Sequence, residues 1–459
     1  MSTNIRKCGP GLFGLRSKMA AAGLVVAVLA GAGMALAETA SLPLSGNDVS
    51  ILFPPPKNAA DLANLIAVSD LAGPAGSPQR LLSDTDFGRF IAIAENPERP
   101  DTPASGVRRI GFPPEVKQIG AWFVAGIRID PGAPGLSKEI VAQFGRQPQV
   151  RIIMQPVTTS RPDGFKVHDI AGHMMFSFSQ PVSDPALDGC APFSRSKPDD
   201  EAFKAVVRDA AALRDQLAAG KFGGVKVATT GDLNVHPGLQ GPSAKPFRDA
   251  LKAMLEKHLV PQRLSTMAVM GLDFPEPWIF VSMLKHPQAG LIPVPGPTLD
   301  GKQVSQMLSF RGGKHVVPQP ATNNENPVTC RHATLQDPPL PEAERKGVST
   351  SAFIDGNVGD ARVNEIVNII ADPKKSHFFN TDCVSCHTET AQPIAKNVRN
   401  FAVPGVARKV LPKEDWNVRN FGWFTSFLQR GPAAATITRR TAAETVDVVA
   451  FINRELLNK

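Results

Sequence analysis

Hydrophobic and polar positions follow three successive patterns along the chain. From residue 38 to about 117 no period holds: the stretch is Pro-rich (Phe53-Pro54-Pro55-Pro56, Pro97-Glu98-Arg99-Pro100), with one predicted helix around Ala59 to Leu71. Such a segment reads as irregular chain that wraps another domain. Between 118 and 315 the pattern becomes mixed. Ile119 to Ile129, Gln149 to Val157, Phe165 to Phe178, Leu264 to Gly271 and Trp278 to Leu284 are rich in β-branched, Met or aromatic residues, are bounded by Pro or Gly, and predict strands.

Two helices interrupt them. Ser196, Pro198 and the acidic Asp199-Asp200-Glu201 open the first, Phe203, Val206, Val207, Ala210, Leu213 and Leu217 form its apolar stripe, and Gly220 closes it. The second starts near Ser243 with Pro246 in its first turn and ends at about Leu259, before Pro261. Strands with helices predict an α+β domain, whose strand order is not readable. Residues 316–345 are again rich in Pro and predict a linker.

The last segment, 346–459, reads as a small, mainly α domain. One helix is predicted around Ala361 to Ile370. A final helix is predicted from a capping box of Thr441 and Glu444, with Val446, Val449, Ile452 and Leu456 as its apolar stripe.

Residues 1–37 change the picture of where the chain works. Arg6, Lys7, Arg16 and Lys18 precede an apolar run from Ala20 to Ala32, and Ala35-Leu36-Ala37 has the form of a cleavage site, which predicts a signal peptide and a mature start near Glu38. An uncleaved anchor is the competing expectation, and the remaining chain contains no stretch resembling a second membrane span. The formal charge of +8 falls to +4 without this leader, which holds four basic and no acidic residues. That balance does not argue for nucleic acid; it reads first as an ordinary solvated surface, docking of an acidic redox partner being the alternative. Of the five cysteines, Cys8 lies in the leader and Cys383 and Cys386 belong to one motif. The remaining Cys190 and Cys330 are expected to pair as a disulfide in an oxidising compartment, a free thiol pair or a metal site being the alternatives.

The motif is Cys383-Val384-Ser385-Cys386-His387. Two thiols three residues apart reach the two vinyl groups of one porphyrin, and the adjoining His reaches the iron from the same turn. A zinc site would want a second close Cys or His pair, and a thioredoxin-like pair would follow a strand. On this motif residues 350–459 resemble the c-type cytochromes. The resemblance implies one covalent haem c held by Cys383 and Cys386, His387 as proximal iron ligand, attachment after export to the periplasm, and one-electron transfer. The upstream region carries no motif of a known family.

One departure from the family pattern matters. The 72 residues after His387 contain no Met, His, Cys or Tyr, so the usual distal ligand is missing. Three sources stay open: an upstream side chain, with His377 or one of eight preceding methionines as candidates; a vacant or water-bound position; or Lys396, Lys409 or Lys413. Arg419, Arg439 and Arg440 are candidate partners of the haem propionates, because guanidinium binds carboxylate bidentately. The expectation is therefore an electron carrier. A haem oxidoreductase or peroxidase with an open distal site, and a haem sensor or subunit of a respiratory complex, are the alternatives. Asp169, Asp232 and His236 are scattered acid–base candidates without motif support.

Overall fold

In a computed structural model of the protein, the described residues are 43–74, 79–95, 111–132, 141, 146–161, 164–181, 196–271, 278–294, 298–299, 302–303, 307–310, 316–318, 360–376, 383–391, 403–414, 417–425 and 432–457. They combine helices with one large antiparallel sheet, an α+β fold. The strands are β1 (Ser50–Leu52), β2 (Trp122–Asp130), β3 (Gln149–Arg161), β4 (Gly164–Val167), β5 (Ile170–Ser177), β6 (Leu264–Gly271), β7 (Trp278–His286), β8 (Gly290–Val294), β9 (Met307–Phe310) and β10 (Val316–Pro318). Their order across the sheet is β1-β2-β3-β5-β6-β7-β9-β10, with β4 folding back on β3 and β8 on β7. Consecutive strands thus lie side by side along most of the sheet.

The predicted strands recur at these places with two differences. Ile119–Ala121 is a 3-10 turn, and β2 begins only at Trp122. Phe165 to Phe178 is not continuous: β4 ends at Val167 and β5 begins at Ile170. His168 and Asp169, between them, are both buried. The segment before residue 118 also contains more structure than its prolines suggest. It supplies edge strand β1 and a helix, α1 (Asp84–Glu95), that the sequence reading missed. Conversely, the helix expected over Ala59 to Leu71 is two short 3-10 turns, Ala59–Asn64 and Val68–Asp70, the first capped by the Asn58 side chain.

The remaining helices are α2 (Asp200–Ala218), α3 (Ala244–His258), α4 (Asp360–Ala371), α5 (Cys383–Thr388) and α6 (Arg439–Phe451). Asp199 caps α2 by accepting a hydrogen bond from the Ala202 amide, and Gly220, at φ 76°, turns the chain just past its end. In α6 the N-cap is Thr438, which accepts from the Thr441 amide, rather than the expected Thr441. Of its expected stripe, Ile452 and Leu456 are buried and Val449 packs against the core, but Val446 is 62% exposed; Arg440, Thr441, Ala442, Thr445 and Val448 are buried besides. The last region also contains a hairpin of β11 (Phe421–Phe424) and β12 (Ala434–Ile437) between its helices.

Register gives the sheet two unlike faces, since alternate residues point oppositely. On one, Ile152 and Met154 of β3 lie opposite Met174 and Gly172 of β5, and these lie opposite Met267 and Val269 of β6. Helix α1 covers this face: Phe87 and Phe90 meet Trp122 edge-on at 6.0 and 5.6 Å. On the other face Arg128 of β2 pairs with Arg151 of β3, Ile153 with His173 of β5, and His173 with Ala268 of β6. The C-terminal segment lies on this second face. Hairpin β11–β12 is fastened there by Gln155, whose amide donates to the Trp423 carbonyl (2.8 Å) and accepts from the Trp423 amide (2.6 Å). Two glycines permit the approach. A Cβ on Gly126 would sit 2.5 Å from the Phe421 ring, and one on Gly422, at φ 140°, would sit 2.6 Å from the Gln155 side-chain oxygen. Residues 41–459 accordingly form one compact unit, with a core that runs from Val49 and Ile127 to Trp423, Ile437 and Val448.

Candidate functional site

Helix α5 carries Cys383, Cys386 and His387 on a single turn and a half, so that the second thiol and the imidazole leave the same stretch of backbone. The His387 ring is buried, and its Nδ1 lies 2.8 Å from the Val418 carbonyl. A carbonyl only accepts, so Nδ1 carries the proton and Nε2 is the nitrogen with a lone pair. Burial, against the raising effect of the Val418 bond, pulls the imidazole down to about 4, which keeps it neutral at physiological pH. Neutral imidazole with one nitrogen tied to a carbonyl is the form that ligates metal. Cys386 is half-buried and receives the Asn420 side-chain amide at 3.9 Å. Phe280 of β7 faces the imidazole with ring centroids 6.2 Å apart.

Val418 is held in place by its neighbours. Arg419 is 1% exposed and donates to the Asp169 carboxylate at 2.7 Å, Asp169 itself being 2% exposed. Burial raises the Asp169 carboxyl, opposed by the Arg419 charge. The pair bridges the loop before β5 to the segment that orients His387. Its polar atoms are not all used: Asp169 Oδ2 and Arg419 Nε and Nη1 are buried without a partner. Arg128 Nη2 and Arg151 Nε, on the same face of the sheet, are buried without an acceptor as well. Each such orphan costs about 1–3 kcal/mol, so four unpaired guanidinium nitrogens on one face mark a place where acceptors are wanted.

The three predicted arginines have different surroundings. Arg419 keeps two free donors, as described. Arg440 is fully engaged: Nη1 donates to the carbonyls of Ile370 (2.8 Å) and Ser376 (2.7 Å), and Nε to Glu444 (2.7 Å). It ties the end of α4 to α6. Arg439 is half-buried and its amide donates to the Thr390 hydroxyl at 2.8 Å. His377, Cys190, Cys330 and Lys396 lie outside the described residues, as does the Cys383 side chain. Lys409 and Lys413 are exposed.

The other candidates are engaged elsewhere. His236 is a core histidine, stacked on Phe247 at 4.7 Å and accepting from the Gly238 amide, with burial pulling it down to about 3. The Asp232 carbonyl accepts from Asn47. Met174 and Met283 are fully buried on the apolar face, and His286 accepts the amides of Gln288 and Ala289 in a turn. What the sequence reading missed is Arg128, Arg151, Gln155 and the position of His173. Their signal was available: each is a polar residue at an alternate position of a strand otherwise filled with apolar side chains.

Two glutamates complete the electrostatics. Burial, opposed by hydrogen bonds from Thr390 and the Arg440 amide, raises the Glu389 carboxyl to about 7. Burial would also raise Glu444, but Arg440 and Arg128 outweigh it and hold that carboxyl at about 2. Arg128 reaches Glu444 at 2.8 Å.

The chain matches no protein-family model, no curated protein and no solved structure. Among the described residues no three His, Cys, Asp or Glu side chains converge as they would around a bare metal ion, and no helix is long and apolar enough to cross a membrane.

A covalent haem would ask this chain for two thiols, a neutral imidazole and partners for two carboxylates. The Cys383–His387 turn, the Nδ1-protonated His387 and the orphaned nitrogens of Arg128, Arg151 and Arg419 are a donor set of that kind.

Proposed function

We propose that the protein is an exported c-type cytochrome, with one covalent haem c carried on α5 and one-electron transfer as its task. The observation that carries the reading is the hydrogen bond from His387 Nδ1 to the Val418 carbonyl within a Cys-x-x-Cys-His turn. A histidine in the core of an unrelated fold has no need of two cysteines on the preceding turn. When bound, the haem iron accepts and returns one electron without making or breaking substrate bonds.

The chain's own residues do the rest. Cys383 and Cys386 would hold the ring through two thioethers, each thiol adding across one vinyl group, sulfur to one carbon and hydrogen to the other, without net oxidation. His387 supplies a ring nitrogen to the iron while Val418 holds its tautomer and its angle. Arg419, Arg128 and Arg151 offer the unpaired donors that two propionates would satisfy, and so would remove the cost of those orphans. Phe280 and the sheet exclude water from one side of the imidazole. The basic n-region, apolar run and Ala-x-Ala site of residues 1–37 support attachment in the periplasm, where the redox partner protein would be met.

The test is expression with the periplasmic haem-attachment machinery, followed by a denaturing gel stained for haem and by mass spectrometry. The expected result is one haem mass per chain that survives denaturation, halved in attachment bonds by Cys383→Ala and abolished by the double Cys383→Ala/Cys386→Ala variant. A chain that emerges without covalent haem under these conditions refutes the proposal.

A further inference from the structure

After His387 the motif segment holds no Met, His, Cys or Tyr, and the sheet beneath it offers a histidine. His173 points to the same face of the sheet as Arg151, Ile153 and Phe280, because its cross-strand partners are Ile153 and Ala268, and Ala268 pairs in turn with Ser282, two residues from Phe280. That is the face on which α5 and Val418 lie, as the contact of Phe280 with the His387 ring records. Asp169, four residues before His173, grips Arg419, whose neighbour Val418 orients His387. The attachment turn and His173 are therefore registered to each other through one buried ion pair.

His173 also differs from its neighbours. It is half-buried yet makes no hydrogen bond to any described residue, whereas His168, His236, His258 and His286 each make one. Ile153 stands directly opposite it on β3, while on the other side Ala268 of β6 and Ser282 of β7 are small. Burial, with Arg151, Arg419 and His387 adding to it, holds the ring well below its usual pKa and so in the neutral, ligating form. Met175 shares the face but lies a further turn of the pleat away from Asp169, and Met270 is shut in the core at 2% exposure.

We infer that His173, supplied by β5 of the sheet, is the second axial ligand of the haem iron, so that the α+β scaffold, rather than the attachment segment, supplies it. The inference rests on the haem reading above.

The experiment uses the full-length holoprotein and compares wild type with His173→Ala, His173→Met, Met175→Leu and His377→Ala by optical and electron paramagnetic resonance spectroscopy, with and without carbon monoxide on the ferrous form. Wild type should be six-coordinate, low-spin and indifferent to carbon monoxide. His173→Ala should keep its covalent haem but lose the low-spin spectrum, gain carbon monoxide binding, and recover the wild-type spectrum when imidazole is added. His173→Met should stay six-coordinate with a thioether signature and a higher potential, which shows that the variant folds. A His173→Ala protein that remains low-spin and closed to carbon monoxide overturns the inference, as does loss of the sixth ligand in His377→Ala or Met175→Leu instead. An open iron in wild type overturns it too. In each of these cases covalent haem is still present, whereas failure of the haem reading leaves no haem at all.

Discussion

The two faces of one sheet solve different problems with the same strands. The face under α1 is filled by Ile152, Met154, Met174, Met267 and Val269, with Phe90 fully buried against Trp122, and it holds by close packing alone. The opposite face carries Arg128, Arg151, Gln155, His173 and the Asp169–Arg419 pair, and it holds the C-terminal segment by directed polar contacts. Packing tolerates small shifts at a graded cost. A buried polar face is all-or-none, because each donor must meet its acceptor or be stranded. A face of the second kind is a costly way to attach a hairpin and a helix, and its orphaned nitrogens say that attachment is not all it does.

The contrast can be broken most strongly from the apolar side. Phe90→Ala should destabilise the protein by about 4 kcal/mol, the range for a fully buried aromatic truncated to a methyl, measured by urea unfolding. A loss below about 1 kcal/mol would mean that α1 is not a structural cover of that face. Next in size, Asp169→Ala strands Arg419 and should cost about 3 kcal/mol, while the apolar pair Asp169→Leu/Arg419→Met should recover most of that stability. The sharper outcome is a split. The double variant regains stability but not the spectrum of wild type, because it no longer registers Val418 and His387 to the sheet.

The smallest effects, of about 2 kcal/mol, distinguish two glutamates on the polar side by sign. Glu389 has its carboxyl raised from 4.5 to about 7, so its ionisation opposes folding and stability is lost as pH rises through that window. Glu389→Gln should therefore stabilise the protein by about 2 kcal/mol at pH 8 and hardly at pH 5, read from thermal unfolding at the two values. Glu444 is lowered from 4.5 to about 2, so its contribution is present above the upper value and fades as pH falls toward the lower one. Because Glu444 is 31% exposed, solvent screening reduces that contribution. Glu444→Gln should cost about 2 kcal/mol at pH 7 and flatten the acid limb of the stability profile. Equal pH profiles for the two variants would contradict the assigned environments.

Much of the scaffold was legible without coordinates. Runs of β-branched, Met and aromatic residues bounded by Pro or Gly located β2, β3, β6 and β7, and the cap and stripe of α2 were readable from Asp199 to Leu217 because they depend on neighbours within one turn. The misses have a common cause. Helix α1 lies in the Pro-rich segment: its local start signal is present, Ser83 accepting from the Asp86 amide, but its apolar side chains Phe87 and Phe90 are held by Trp122, a residue of β2. Beside the expected Ile452 and Leu456, the last helical segment buries Arg440 and Thr445 against partners in α4 and at Ser50, which no helical period announces. His168 and His173 both fall within the single strand expected over Phe165 to Phe178. The break at His168 and Asp169 put the two in different surroundings.

Cys383, Cys386 and His387 stand on one turn by virtue of sequence alone, since their chemistry needs only a spacing that a short helix always provides. The sequence likewise determined that nothing after His387 could serve as a second soft or imidazole ligand. Which side chain faces that histidine was decided only by tertiary structure. Strand order and register bring together residues 169, 173, 280, 387 and 419, and their meeting depends on long-range pairing, Gly126 and Gly422 permitting close approach, and a buried ion pair, none of which leaves a local mark in the chain.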